Sequence, residues 1–465
     1  QAEDGIRDVE RSRGLGDVYK RQQLHIGIDD TDSLSGNCTT YVAAEIIEHI
    51  ANFVNFTDYP RLIRNNPNIP WKTRGNGSIA LSLETKKRYV DEIISFIFNF
   101  IKNNHEQDIN TNPGCIIIEG DIPQCVKDFA KRALISNIKI DEARRLIEEL
   151  KLKSFHVGNG RGLIGALAAL GNELKPSEDD FTYELLTYRL KENIGKKRLV
   201  SEESIHLMDK KLSPFVFNNI DEEKNKSIIT PAGKDPVLYG IRGEDANVLL
   251  EAMKMVKTFE EIERYCIFRT NQGTDQHFKF AKSKIEKYSV FKGEIEVQTK
   301  PKTILGGHVF FKGKVLDSNK VVDVAAFEPT KRFRLVVKQL LPNDRVVAFG
   351  GIQVFQGDIF TVQLEKMIVT HVSNQYKEIS PFCPQCGRRM TSAGFSKGHK
   401  CKKCGYKDRN SKKIREPIPR QLSKGLYIPP AGSQRHLVKP NRRYEIDKKI
   451  DKKIILIKNW WKKMK

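Results

Sequence analysis

Asp29, Asp30 and Asp32 fall within four positions, at the end of the apolar run Ile26-Gly27-Ile28 and just before Gly36-Asn37-Cys38-Thr39-Thr40-Tyr41. Carboxylates this close repel one another unless a cation or a proton compensates. Their hard oxygens suit Mg²⁺, which takes one or two carboxylates and completes its shell with water and nucleotide phosphates. Val42, Ala43, Ile46, Ile47 and Ile50 follow at helical spacing, which sets a helix N-terminus and its free N–H groups directly behind the acids, a seat for an anion. A Mg-nucleotide site at a strand-to-helix turn is the chemical reading; three turn or cap aspartates are the plain one. Thr39 falls at or beside the N-cap, so its hydroxyl either caps the helix or faces bound phosphate.

Two further stretches could serve the same ligand. In Trp71-Lys72-Thr73-Arg74-Gly75-Asn76-Gly77, the cations Lys72 and Arg74 with Asn76 and Gly77 could wrap a triphosphate, or the segment is an ordinary hairpin turn. Gly158-Asn159-Gly160-Arg161-Gly162 offers Gly158 and Gly160 for close backbone approach. Its spacing is not that of a dinucleotide fold, and no Walker-type motif occurs, which excludes a P-loop enzyme. Cys383, Cys386, Cys401 and Cys404 form two C-x-x-C knuckles with 14 residues between them. That spacing brings four thiolates to a tetrahedron, predicting a closed, structural Zn²⁺ site.

The elements that must position these residues alternate from residue 24 onward. Strands are expected over 24–28, 61–64, 78–83 and 115–118, and helices over 40–50 and 89–101, a β-α-β-β-α-β unit of α+β class. Helices are expected over 126–134 and 141–150. Strand-like runs over 291–297, 308–316, 321–327, 345–355 and 360–372 suit a small closed barrel, either an OB-fold or an SH3-like one. At 465 residues, three or four domains of roughly 100–200 residues are expected.

Charge is concentrated at one end. Residues 379–465 carry +20 of the formal +22, the footprint of a polyanion partner. Basic residues interleaved there with Tyr427, Tyr444, Trp460 and Trp461 fit phosphate contact plus base stacking, or the docking of a terminal helix. No apolar run approaches a membrane span. Cysteine usage fits the reduced cytoplasm with one metal site better than a disulfide framework. Residues 1–22 are polar, lack a signal-peptide core and look like translated adapter sequence; they are set aside as a disordered, non-native leader.

These motifs together resemble the archaeal agmatine–cytidine ligase family, the tRNA(Ile) 2-agmatinylcytidine synthetases. The resemblance spans nearly all of 24–440 and includes, beyond the segments above, Asn66-Pro67-Asn68-Ile69-Pro70, Thr182-Tyr183-Glu184-Leu185, Tyr239-Gly240-Ile241-Arg242-Gly243, Thr270-Asn271-Gln272-Gly273-Thr274-Asp275-Gln276-His277 and Arg435-His436-Leu437-Val438-Lys439-Pro440. Lys234-Asp235 departs from it, standing where the family pattern has Pro-Cys. The resemblance implies a kinase-like catalytic domain (23–195), a ferredoxin-like domain (196–288), an OB-fold (289–378) and a zinc ribbon (379–410), followed by a basic tRNA-contacting tail (411–465). It implies that ATP phosphorylates the C2 oxygen of the wobble cytidine in a CAU-anticodon isoleucine tRNA. Agmatine then replaces that oxygen, and AMP is left. It also makes Asp29, Asp30 and Asp32 Mg²⁺ and nucleotide ligands and Thr39 a phosphorylated residue. Asp235, Asp245 and Asp275 are open candidates for agmatine's guanidinium. Two other readings share these features: an RNA or small-molecule kinase, which would leave phosphate on its product, and a non-catalytic tRNA-binding protein, which would not turn over ATP.

Overall fold

The structure, a computed structural model, describes residues 21–33, 36–72, 75–105, 107–108, 110–355, 359–444, 446 and 454–465. Arg74 and most of the segment set aside as a leader lie outside them. The first strand nevertheless begins at Arg21, opposite Lys86, so Arg21 and Gln22, expected to be disordered, belong to a strand.

Among the described residues the body is one mixed sheet built from two units of the same order. In the first, β1 (Arg21–Asp29), α1 (Thr39–Ile50), β2 (Val54–Phe56), β3 (Arg61–Arg64), β4 (Gly77–Lys86), α2 (Val90–Asn103) and β5 (Gly114–Glu119) place their strands as β5-β1-β4-β3. β2 pairs β4 beside β3. After α3 (Gln124–Ile135) and α4 (Ile140–Glu149), β6 (Lys153–His156) extends the β5 edge, and α5 (Gly162–Gly171) packs against β1 and β5. The second unit runs β7 (Thr182–Arg189), α6 (Glu202–Leu212), β8 (Val216–Phe217), the small hairpin of β9 (Ile220–Asp221) and β10 (Lys226–Ser227), β11 (Val237–Gly243), α7 (Ala246–Met255) and β12 (Ile262–Thr270), ordered β12-β7-β11-β8. Numbering the four principal strands of each unit by sequence, both read fourth-first-third-second. A boundary at 195 would separate β7 from β11 and β12, the strands it pairs with.

The units meet edge to edge where β12 runs parallel to β3, through Arg269 opposite Arg61 and Thr270 opposite Leu62. The unit strands are rich in Ile, Leu and Val because helices cover the sheet; Ile26, Ile28, Ile79, Leu83, Leu185 and Ile267 are all buried in it.

A barrel follows: β13 (Val290–Val297), β14 (Lys302–Thr303), β15 (Val309–Val315), β16 (Val321–Ala326), β17 (Arg345–Val354) and β18 (Phe360–His371). The ring β13-β15-β16-β18-β17 closes on itself, with β16 and β18 parallel. All five barrel strands stand within a residue or two of where the sequence predicts them, because each is a β-branched run bounded by turn residues. β19 (Gln375–Ile379) leads to the cysteine knuckles and pairs with β23 (Ile414–Ile418) beyond them; the knuckle region holds the short strands β20 (Thr391–Ser392), β21 (His399–Lys400) and β22 (Lys407–Asp408).

Two described segments within 411–465 join the body as strands. β24 (Gly425–Tyr427) joins barrel strand β18, and β25 (Trp461–Lys463) joins β12. Tyr427 packs on the barrel core, Trp460 is buried, and Tyr444 remains exposed. The aromatic residues read as base-stacking candidates are thus largely occupied in packing, and the terminal segment docks as a strand rather than a helix. No helix among the described residues is long and apolar enough to cross a membrane.

Candidate active site

One cavity of about 850 Å³ opens near the seam between the units and is lined from both, by Asp29, Asp30, Asp32, Thr39, Lys72, Asn76 and Gly77 from the first and by Glu184, Asp235 and Arg242 from the second. The carboxylates reach it because β1 ends at Asp29 and the chain turns sharply, with Asp30 at φ +57°. α5 passes directly behind. A side chain at Gly165 would place its Cβ 1.8 Å from Asp29 Oδ2, so the glycine makes room for the acid.

The three aspartates are not equivalent. Asp30 accepts from Arg161 Nη2 at 3.0 Å and from the Asn112 backbone N–H at 3.1 Å. Even so, burial pushes its carboxyl above the usual range. Asp29 is raised further, first by burial and then by the negative charge of Asp30. A cation placed between them would relieve both effects. Thr39 is the first residue of α1 and its hydroxyl donates to Asp32 Oδ1 at 3.3 Å, while Thr31 Oγ1 lies 3.2 Å from Thr39 Oγ1.

Cations line the same cavity. Loss of surrounding water, aided by nearby Arg435, holds the Lys72 ammonium down to about 8. The turn after it is built by Asn76, at φ +50°, whose side chain donates to the Asn66 carbonyl at 2.8 Å. A Cβ at Gly77 would meet Arg64 Nη1 at 2.7 Å, so this glycine admits the Arg64 side chain. Gly158 and Gly160 do not line the cavity, whereas Asn159 and Arg161 between and beside them do. Both glycines sit at positive φ, at +62° and +74°, and a side chain there would strike Asn112 or His156; their demand is conformational.

Residues the sequence reading missed complete the wall. Glu184 ties the units together, with Arg64 Nη2 at 3.7 Å from one side and Arg242 Nε at 3.1 Å from the other. Arg242 also contacts His436 Nδ1 at 3.3 Å. A guanidinium only donates, so Nδ1 accepts and the ring proton resides on Nε2. Loss of surrounding water and then the charges of Arg64, Arg242 and Lys72 shift His436 well below the usual imidazole range. Arg161, Glu184, Arg242 and His436 sit inside stretches singled out for other reasons, whereas Arg64 reads as an ordinary strand residue. The open candidates for a guanidinium are each engaged. Asp235 pairs with Arg198 at 3.2 Å, Asp245 caps α7, and Asp275 binds Lys366 and the Tyr444 hydroxyl.

The four knuckle sulfurs lie within 4.8 Å of one another, with Cys383–Cys404 and Cys386–Cys401 each at 3.5 Å. A tetrahedral Zn²⁺ with bonds of about 2.3 Å needs sulfurs about 3.8 Å apart, so these residues fit the metal. Backbone N–H groups of Cys404 and Lys403 hold the Cys401 thiol down, while the neighbouring Cys383, Cys401 and Cys386 sulfurs push Cys404 up, the mutual repulsion a bound cation would relieve.

Comparison with known proteins gives consistent matches. Residues 25–159 match the TiaS TCKD domain, 160–277 the TiaS FLD domain and 380–422 the TiaS C-terminal zinc ribbon domain. The isoleucine-tRNA 2-agmatinylcytidine synthetase TiaS of Thermococcus sibiricus is 41% identical over 424 residues, 90% of this chain and 95% of that protein. Two crystal structures are similar throughout. A complex of TiaS with its isoleucine tRNA and ATP matches at TM-score 0.80 and 38% identity, covering 90% of this chain and 97% of the other. A complex of TiaS with the same tRNA, AMPCPP and agmatine matches at TM-score 0.78 and 35% identity, covering 92% and 98%.

Proposed function

We infer the reaction from a premise and a geometry: the chain belongs to the tRNA(Ile) 2-agmatinylcytidine synthetase family, and it uses ATP to join agmatine to the wobble cytidine of the CAU-anticodon isoleucine tRNA in the cavity between its two units. The observation that carries this is the convergence there of Asp29, Asp30, Asp32 and Thr39 with Lys72, Arg64 and Arg242. Phosphoryl transfer is catalysed largely by positioning and charge neutralisation, and these groups supply both.

The chemistry follows from the substrate. The C2 oxygen of cytosine is a poor leaving group. Its attack on the γ-phosphorus of ATP forms an O–P bond as the bond to the β-phosphate oxygen breaks and ADP leaves, and converts it into a good one; loss of a second phosphoryl group from that ADP, to Thr39, would leave AMP. The primary amine of agmatine then attacks C2, the C2–O bond breaks, phosphate departs with that oxygen and the amine gives up a proton. Asp29, Asp30 and Asp32 would hold Mg²⁺, which when bound neutralises phosphate charge. Lys72, Arg64 and Arg161 neutralise the rest, with Arg74 as a further candidate from the same loop. The Thr39 hydroxyl, held by Asp32, is placed to accept a phosphoryl group. His436, its Nδ1 accepting from Arg242, would donate a hydrogen bond through Nε2 rather than add a further cation. Trp71, half-exposed at the cavity, offers a face to a base flipped from the anticodon loop. Gly158 and Gly160 act by shaping the loop that presents Asn159 and Arg161.

The module reading is supported by topology. The shared strand order favours a ferredoxin-like unit over 182–270, the barrel order favours an OB-fold, and the first unit with α3–α5 would be the kinase-like catalytic part. The barrel and the zinc-bound ribbon would grip the tRNA body with salt-sensitive affinity. The test is mass spectrometry of the isolated anticodon loop after incubation with ATP, Mg²⁺ and agmatine. Agmatine appears on the wobble cytidine if the reading is right; a phosphorylated loop with no amine would favour the kinase alternative instead.

A further inference from the structure

β12 meets β7 along its whole length, but on its other edge β3 covers only Arg269 and Thr270. The remainder of that edge would be a row of unpaired backbone groups in the middle of the sheet. The C-terminal strand fills it. Arg264, Tyr265 and Cys266 pair with Lys463, Lys462 and Trp461, and the Ile267 N–H donates to the Trp460 carbonyl at 2.8 Å. Trp460 is buried edge-on against Phe56 and Tyr59 of the first unit, and the Tyr59 hydroxyl donates to the Ile455 carbonyl at 3.1 Å. The strand thus touches both units across the seam.

It also closes a charge network behind α1, the helix that begins at Thr39. Lys463 Nζ lies 2.9 Å from Glu48, which Arg264 also contacts at 2.9 Å. Arg264 binds its neighbour Glu263 at 2.7 Å, and Glu263 accepts from the Tyr41 hydroxyl at 2.9 Å. Tyr41 and Glu48 both belong to α1. We propose that residues 454–465 are a positioning element for the reaction: the terminal strand completes the β12 edge and, through Lys463, Glu48, Arg264, Glu263 and Tyr41, fixes α1 and so the Thr39 hydroxyl relative to the second unit. The catalytic half of this rests on the placement of Thr39 argued above; the structural half does not.

Deleting residues 454–465 is expected to lower kcat for agmatine incorporation roughly tenfold to a hundredfold, the scale of an ångström-level misplacement, while KM for tRNA and ATP stays within about twofold. A synthetic 454–465 peptide supplied in trans restores kcat. Amide hydrogen exchange over 39–50 speeds up in the truncated chain, a readout that decides the structural half even if wild type shows no agmatine incorporation. Should the truncated chain not fold, Lys463→Met and Lys463→Arg decide: the first lowers kcat and the second restores it. Unchanged kcat with unchanged exchange would overturn the proposal. So would a rise in KM for tRNA at constant kcat, which would make the strand a nucleic-acid contact.

Discussion

The two units share a strand order yet treat the end of their first strand in opposite ways. β1 ends at Asp29, followed by Asp30, and both carboxyls are pushed above the usual range by burial and by neighbouring negative charge. β7 ends in Arg189, which is 1% exposed and fully engaged: its Nε and Nη2 reach Glu260 at 2.9 and 2.8 Å, and Nη1 reaches the Lys196 carbonyl at 2.8 Å. One strand end keeps negative charge in excess; the other balances it within the chain. Charge left in excess costs stability and marks where a ligand completes the structure; balanced charge holds the fold.

Either strand end can be disturbed on its own. Asp29→Asn should reduce agmatine incorporation roughly a hundredfold to a thousandfold and raise the thermal midpoint by about 2 °C at neutral pH. The sign follows from linkage: a carboxyl whose folded pKa is raised opposes folding when ionised, so the stability gain is present at neutral pH and fades as acid protonates Asp29 in the wild type. Arg189→Met should do the reverse, losing about 3–5 kcal/mol of stability because Glu260 is left buried and unpaired, with the rate per folded molecule unchanged in an assay at low temperature. Asp30→Asn separates the members of the acid cluster from one another. Both carboxyls are raised, so both variants should gain stability at neutral pH, but the gain should be smaller at Asp30, where Arg161 offsets part of the cost of ionisation, and calorimetry of the two variants side by side reads the difference.

Smaller effects are expected farther out. Cys401→Ser or chelation of zinc should unfold the ribbon and weaken tRNA binding about tenfold, leaving ATP affinity intact by filter binding and titration. Lys72 should lose its charge as pH rises through about 8, so ATP affinity should fall several-fold between about pH 7 and 9; Lys72→Arg should flatten that profile.

Much of this was legible beforehand. The alternation of apolar runs located the strands of the first unit and the barrel, and the acid cluster and the cysteine knuckles announced their chemistry by residue type and spacing alone. The second unit was harder to read, because β7 begins just after the acidic Ser177-Glu178-Asp179-Asp180 and pairs with partners some 50 and 80 residues later. Glu184 and Arg64 escaped for a related reason. Each is a charged residue in a strand, and only the meeting of two sheet edges makes them neighbours. The terminal strand was misread because its composition is that of a solvated basic tail, while Trp460 and the exposed edge of β12 decide its place.

The central claim is that the excess negative charge at Asp29, Asp30 and Asp32 is held for a magnesium nucleotide. Isothermal titration of ATP into the wild type and Asp29→Asn, with and without Mg²⁺, tests it most directly. Binding should be strong only for the wild type in the presence of Mg²⁺. Equal affinity in all four titrations would contradict it.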